Sequence, residues 1–559
     1  MIHNSWKLDR LKMLSGCIFI LGALIIGRLF EVQVLGYNYW KALARDYTKQ
    51  DVSGFVERGK ILLDDGEGFP LVTNVTRYRL IGVPARIEDL REFVQKLSSY
   101  LGIDWAPSLA QTPLIIEENE DSQSLKNLLA RLSRKNDFYE LLKKDLTIDQ
   151  VNEIKELNLE GVDFEPYFKR WYPEKELFSH VTGFVSQEKG KGAYGLEEFF
   201  EKELSDGQDL VLTLDRSIQF FASSILKKAV LDYEAEGGTI IVISPESGAI
   251  LALCNKPTFD SNEYSKVKNF ELFKNPAVAS NFEPGSIFKV ITMAAVLEED
   301  KVTPDTIYED KGEVKIGDYV IRNSDNKVWG FQSMKRVLEV SINTGAVFAA
   351  RQIGLEKFRS YVKKFGFGSL TELGLAGEAS GDVSNLARNQ EIYLATASYG
   401  QGITVTPIQM VNAISAIANQ GKLNRPYIVD RFIKAGGEVV CQEPKFIRQV
   451  ISSSTAIMLG AMMVSVIENG YGRRAGVPGY FVAGKTGTAQ VPAPGGQYSE
   501  RVIHSFVGFA PATHPVFAAL IKLDNPKKGR FADSTAAPTF GELAEFILRY
   551  YNVPPDREK

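Results

Sequence analysis

Hydrophobic and polar positions divide this chain into three differently patterned stretches. In the first, residues 13–27 form an uncharged run of 15 residues, extended beyond Arg28 by Leu29, Phe30, Val32, Val34 and Leu35. That run is short of the ~20 residues that span a bilayer, but Arg28 can snorkel while the helix continues. A membrane anchor is therefore expected over residues 13–35. Lys7, Arg10 and Lys12 precede it against a single Asp9, so residues 1–12 read as a cytoplasmic tail, with the rest of the chain facing outward. Tyr37, Tyr39 and Trp40 read as an interfacial aromatic belt. The small-x-small triplet Ala42-Leu43-Ala44 lies far beyond the apolar run, which favours an anchor over a cleaved signal peptide.

The second stretch, residues 36–208, is charged and mixed. It predicts a strand at 77–83 and amphipathic helices at 121–132 and 147–157, and it holds no catalytic constellation. It reads as a spacer domain. In the third stretch, alternation predicts a strand at 209–215, a helix at 216–231, a strand at 239–244 and its hairpin partner at 249–254 across the turn 245–248. A long helical region follows from 288 to 419. Strands return at 480–483, 505–510 and 516–523, and a helix at 540–551 closes the chain. Antiparallel strands drawn from both ends, with helices between, predict one sheet covered by helices, an α+β fold.

Composition narrows the picture. A chain of 559 residues is too long for one core and implies two to four domains. Hydrophobic content of 44% with 24% charged residues is that of an ordinary globular protein. A formal net charge of −4 with both signs interspersed gives no case for nucleic acid as a partner. Cys17, Cys254 and Cys441 make neither a disulfide framework nor a CxxC site, and whether Cys254 and Cys441 meet is left open. His3, His180, His504 and His514 are too dispersed to suggest a metal, so no cofactor is expected. His504 stands closest to a candidate site strand.

The candidate chemistry begins at "FEPGSIFK", residues 282–289. If this segment opens a helix, Lys289 stands one turn above Ser286 on the same face. Val290, Ile291, Met293, Ala294, Ala295, Val296 and Leu297 continue it as an apolar helix with Pro284 at its start, so the pair is expected to be buried. Desolvation makes a lysine easier to deprotonate, and a neutral Lys289 can serve as the base that a serine nucleophile requires. Alone the motif is weak, because Ser-x-x-Lys also occurs at Ser186, Ser224, Ser265, Ser324 and Ser360. Two further signals stand in order behind Ser286: Ser341-Ile342-Asn343, between an amphipathic stretch and a helix, and Lys485-Thr486-Gly487-Thr488, after the strand at 480–483. Ser324-Asp325-Asn326 also spells Ser-x-Asn but lies in a polar loop, and Ser341 is preferred.

Serine–lysine, Ser-x-Asn and Lys-Thr-Gly in this order are the signature of the penicillin-recognising serine enzymes. The chain resembles the class B penicillin-binding proteins, membrane-anchored peptidoglycan D,D-transpeptidases, over nearly its full length. "RGKILLDDG" (58–66), "RWYPEKELFSHVTGFV" (170–185), "GLEEFFEKEL" (195–204), "YGQGITVTPIQM" (399–410), "GKTGTAQV" (484–491) and "HSFVGFAP" (504–511) are similar to family segments. Leu63 and Asp64 depart from the early box, Ile287 replaces a common threonine, and Ser534 and Thr535 stand where glycine is usual.

The resemblance implies a transmembrane helix (13–35), an elongated pedestal of the dimerisation type (36–208) and a transpeptidase domain (209–553). It implies that Ser286 attacks the carbonyl between two D-alanines of a stem peptide and Lys289 takes its proton. Ser341 and Asn343 relay protons and position the substrate amide, Lys485 adds charge, and Thr486, Gly487 and Thr488 bind substrate. Backbone N–H groups of Ser286 and Thr488 form the oxyanion hole. Stem peptides, β-lactams, the bilayer, a membrane glycan polymerase and division or elongation proteins are the implied partners. The implied location is the bacterial cytoplasmic membrane with the bulk of the chain outside, in septal wall synthesis, with elongation as the alternative. A D,D-carboxypeptidase or β-lactamase is the nearest rival, and a non-catalytic β-lactam sensor or scaffold the next.

Overall fold

The computed structural model describes residues 5–31, 57–64, 68–103, 120–492 and 498–557. The chain divides into two compact units, Met1–Glu57 with Asn74–Lys169 and Arg58–Thr73 with Arg170–Lys559.

In the first unit, Ser5–Phe30 is one helix, and the side chains described along it, among them Phe19, Ile20, Leu24 and Ile26, are exposed. Among the described residues no helix is long and apolar enough to cross a membrane. Residues 32–35 of the expected anchor, the aromatic belt and His3 lie outside the described residues. The core of this unit gathers Leu80, Ile87, Phe93, Val94, Leu97, Leu146, Val151 and Ile154. Its helix Leu90–Leu101 starts where the Asp89 side chain accepts from the N–H groups of Arg91 and Glu92, and ends at Gly102 in the left-handed region. Ile148–Glu156 opens on a capping box between Thr147 and Gln150. The helices expected at 121–132 and 147–157 are thus present as Glu120–Leu132 and Ile148–Glu156.

The second unit is built on a five-stranded antiparallel sheet of β1 (Gly237–Ile243), β2 (Ile250–Lys256), β3 (Ala483–Pro492), β4 (Tyr498–Ala510) and β5 (Phe517–Asp524), in the order β3-β4-β5-β1-β2. Strand side chains alternate between faces, and here both faces are buried. Ile240, Val242, Phe506, Ala519 and Ile521 pack with α1 (Arg216–Asp232) and α6 (Ala536–Tyr550). Ile241, Ile243, Val507, Phe509 and Leu520 turn the other way. They pack with α2 (Lys289–Glu298), α4 (Pro407–Ala418) and α5 (Ser453–Asn469), the group that also includes α3 (Asn343–Lys364). The two chain ends do contribute to one sheet covered by helices, and β3 is an edge strand among the described residues.

Three expectations need correction. The strand placed at 480–483 begins only at Ala483 and runs through Lys485–Thr488, so the Lys-Thr-Gly-Thr segment lies inside the strand. Tyr480 and Phe481 are instead tied to the C-terminal segment, the Tyr480 hydroxyl donating to the Val553 carbonyl and the Phe481 N–H to Asp556. The helical region 288–419 is interrupted by two small antiparallel ribbons, Ile307–Asp310 with Gly330–Ser333 and Glu313–Ile316 with Tyr319–Arg322. The strand expected at 209–215 is present as Asp209–Leu212, but it belongs to a second sheet, pairing in parallel with Ile61–Leu63 and antiparallel with Val429–Ile433, two strands absent from the sequence reading. Cys254 is buried and Cys441 exposed, and both are free thiols.

Candidate active site

Ser286 lies in the 3-10 turn Gly285–Phe288, which runs directly into α2 at Lys289. Gly285 takes a φ of +55°, a conformation that costs glycine nothing, and this aims the turn at β3. A Cβ at Gly285 would lie 2.9 Å from the Ala489 Cβ, and one at Gly487 would lie 2.9 Å from Ile287 Cγ2. Two glycines therefore let the nucleophile turn and the edge strand approach closely.

Lys289 is 1% exposed, whereas Lys189, Lys227, Lys268, Lys327 and Lys363, the lysines of the other five Ser-x-x-Lys pairs, are all exposed. Burial is what separates this pair from its decoys. Lys289 Nζ stands 3.1 Å from Ser286 Oγ, 2.6 Å from the Ser341 carbonyl, 3.1 Å from Ser341 Oγ and 2.7 Å from Asn343 Oδ1. Burial, reinforced by the charge of Lys485, holds its pKa well below the usual lysine value. A neutral amine has two N–H groups and one lone pair. The carbonyl of Ser341 and the amide oxygen of Asn343 can only accept, so they take the two N–H groups. The lone pair is left for a hydroxyl, that of Ser286 or Ser341.

Ser341 sits at φ +58°, a backbone conformation unusual for a non-glycine residue, and turns both its carbonyl and its hydroxyl to the lysines. Lys485, fully buried, lies 3.1 Å from Ser341 Oγ and 3.0 Å from the Thr486 carbonyl. Desolvation brings its pKa down to about 7. The Ser341 hydroxyl thus links two lysines. Thr488 Oγ1 accepts from the Ala532 N–H at 3.2 Å, which leaves its own proton to donate.

The structure brings Ser286, Lys289, Ser341, Asn343 and Lys485 together, with Thr486, Gly487 and Thr488 along the adjoining edge strand. Ser324 and Asn326 lie on an exposed 3-10 turn. Their neighbour Asn323, however, belongs to the site's support and was not foreseen. Ile342, at the N-cap position of α3, has no side-chain acceptor to offer, and Asn323 Oδ1 accepts from the N–H groups of Asn343 and Thr344 at 3.0 and 3.1 Å instead. Asn323 is itself held by Asp310 through its Nδ2 at 2.9 Å. No sequence signal marks a cap supplied from another segment.

His504 faces Thr488 across the β3–β4 ladder, and its Nδ1 lies 2.9 Å from Thr535 Oγ1. Burial lowers its pKa to about 4. His180 is buried against the Leu272 carbonyl at 3.0 Å. Among the described residues no group of His, Cys, Asp and Glu side chains could hold a metal ion.

A family model described as the penicillin-binding protein transpeptidase domain matches residues 238–545, and one described as the penicillin-binding protein dimerisation domain matches residues 54–211. Stage V sporulation protein D of Bacillus subtilis is 32% identical over 98% of this chain and 86% of its own length. A peptidoglycan D,D-transpeptidase FtsI homolog of Mesostigma viride is 28% identical over 95% of this chain and 94% of its own. Penicillin-binding protein 3 from Mycobacterium tuberculosis in complex with aztreonam superposes with a TM-score of 0.70 at 26% identity, covering 90% of this chain and 98% of that one.

Proposed function

Because the chain belongs to the penicillin-binding protein transpeptidase family, we propose that Ser286 is the nucleophile of a peptidoglycan D,D-transpeptidase and Lys289 its base. The observation that carries the reading is the convergence of Ser286, Ser341 and Asn343 on a buried lysine amine. In acylation, the Ser286 hydroxyl proton passes to Lys289 Nζ as Oγ bonds to the carbonyl carbon between the two D-alanines. The C–N bond breaks, and the leaving nitrogen takes a proton from the Ser341 hydroxyl, which is restored from the lysines. Backbone N–H groups of Ser286 and Thr488 face the developing oxyanion. The stem peptide lies along the edge of β3, and its terminal carboxylate meets the hydroxyls of Thr486 and Thr488. An amine of a second stem then attacks the ester, forming the cross-link and returning the proton to Ser286. β-Lactams acylate the same serine.

The helix Ser5–Phe30, with its exposed apolar side chains, supports an N-terminal anchor spanning residues 13–35 and a catalytic unit outside the cytoplasm. A reporter placed before Met13 is expected to be cytoplasmic, and an external signal refutes this topology. We place the enzyme in septal wall synthesis beside a membrane glycan polymerase. The Bacillus relative takes its name from sporulation, so depletion in growing and in sporulating cells distinguishes the two settings.

The test is covalent labelling with a fluorescent penicillin, wild type against Ser286→Ala. A Ser286-dependent label that persists for many minutes supports the transpeptidase. Rapid loss supports a hydrolase, and labelling of Ser286→Ala refutes the nucleophile.

A further inference from the structure

Glu283, three residues before the nucleophile, has no part in the proton transfers above. It is 7% exposed, and its carboxylate accepts from the Gly402 N–H at 2.9 Å and from the Tyr498 hydroxyl at 3.0 Å. No basic side chain pairs with it among the described residues. Tyr399, at the end of the helix Glu391–Ser398, and Tyr498, on β4, are the titratable groups beside it. On β5, Lys522 lies over the neighbouring Phe282 ring and pairs with Asp524.

The nucleophile turn is fixed on one side by hydrogen bonds. Phe282 pairs with Val405, and the Gly285 N–H donates to the Gly400 carbonyl at 3.0 Å. Toward β3 the approach is close, since a Cβ at Gly285 would lie 2.9 Å from the Ala489 Cβ and one at Gly487 would lie 2.9 Å from Ile287 Cγ2. Among the described residues, the bond from Tyr498 to Glu283 is the one hydrogen bond running directly between residues 282–288 and β3 or β4. Tyr498 opens β4 opposite Pro492 and is 42% exposed, so packing alone does not fix that end of the strand pair. A carboxylate acceptor makes the bond stronger than a neutral one.

We propose that Glu283 and Tyr498 form a clamp that sets the spacing between Ser286 and the Lys485–Thr488 edge, which makes Glu283 a positioning residue for acylation. The clamp rests on the transpeptidase reading. It predicts that loosening the pair slows the chemical step and leaves substrate affinity intact, because the groups that bind substrate remain in place. It also predicts coupling to pH. A buried carboxylate with no cation is kept ionised only by its two donors, and burial already raises its pKa. Removing the tyrosine hydroxyl raises it further.

The experiment is rapid-mixing acylation of the full chain by a penicillin, resolving the dissociation constant from the acylation rate constant across pH, for wild type, Tyr498→Phe, Glu283→Gln and the double variant. Tyr498→Phe is expected to lower the rate constant by about tenfold at unchanged affinity, and to move the acid limb of its pH profile upward. In the Glu283→Gln background, where the amide still accepts from Tyr498 but carries no charge and does not titrate, Tyr498→Phe is expected to lower the rate by clearly less than about tenfold and to leave the acid limb where it is. A wild type labelled at Ser286, with neither rate nor acid limb changed in Tyr498→Phe, overturns the clamp alone, as do multiplicative losses in the double variant. A wild type that takes no label overturns the transpeptidase reading and the clamp with it.

Discussion

Replacing Asn323 by alanine tests the idea that a borrowed cap holds the catalytic Ser-x-Asn segment. Asn323 is 5% exposed, and its Oδ1 is the acceptor for the Asn343 and Thr344 N–H groups at the start of α3. Alanine leaves both donors without a partner at a helix end whose own N-cap residue, Ile342, cannot supply one. Each stranded donor costs about 1–3 kcal/mol, so a total loss of about 2–6 kcal/mol is expected for the two. Asp310 keeps the N–H groups of Gly312 and Trp329 and the Thr344 hydroxyl, so its carboxylate does not add to the loss. The effect should reach the chemistry, because Asn343 Oδ1 lies 2.7 Å from Lys289 Nζ and Ser341 is held in its unusual conformation next to that helix start. A displacement of 1 Å costs about 100-fold in rate. Denaturant unfolding and penicillin acylation, measured on the same preparations, provide the readout, with Ser324→Ala as the control on the adjacent exposed turn. A loss below ~0.5 kcal/mol in Asn323→Ala with acylation within about twofold of wild type would refute the reasoning.

Lys485, held at about 7 against an ordinary 10.5, makes the unfolded chain bind more protons than the native one between those values. Stability should therefore climb with pH across that window by up to about 1.4 kcal/mol per unit from this lysine, and Lys485→Met should remove that increment. Equal slopes for both proteins in unfolding scans from about pH 7 to 10 would refute the assignment. In Gly487→Ala the new methyl would lie 2.5 Å from Ser505 Oγ and 2.9 Å from Ile287 Cγ2. Acylation should fall by at least about tenfold at a stability cost of about 1–3 kcal/mol, and wild-type acylation would show that the close approach is dispensable. Glu197 is fully buried, with its carboxylate 2.7 Å from both the Arg58 and the Arg170 guanidinium. Glu197→Ala removes the buried carboxylate that the two guanidiniums share while Arg58 keeps Glu201 at 2.7 Å, and should cost about 3 kcal/mol by denaturant unfolding, with acylation by the folded fraction retained. A cost below ~1 kcal/mol would refute the role of this pairing.

The elements most legible from sequence were those whose signals are local. The strand at 239–244 and its hairpin partner, the helix from Arg216 and the apolar helix after Lys289 follow from periodicity, turn residues and caps. The strand of the Lys-Thr-Gly segment was displaced because the apolar run stops at Ala483, before Gly484 and the polar residues that follow it. In the structure a Cβ at Gly484 would lie 2.4 Å from the Phe506 ring, so this glycine is what allows the strand to pair where it does. The ribbons within 307–333 were missed because their strands have four residues each, too few for a period to stand out against neighbouring helices.

The same division holds at the site. The three ordered motifs, matched to the signature of the family the chain resembles, singled out Ser286 with Lys289, Ser341 with Asn343, and Lys485 with Thr486, Gly487 and Thr488, because each group lies within one turn or one strand. Burial of the Ser286–Lys289 pair was already expected from the apolar helix behind it, but how the Ser341 hydroxyl comes to lie between two lysines, and the placement of Asn323 and Glu283, were decided by tertiary structure alone. Those features depend on contacts between segments as far apart as Glu283 and Tyr498. Desolvation, which lowers the lysine pKa values, is a property of what surrounds a residue in space, and a linear pattern records only what surrounds it along the chain.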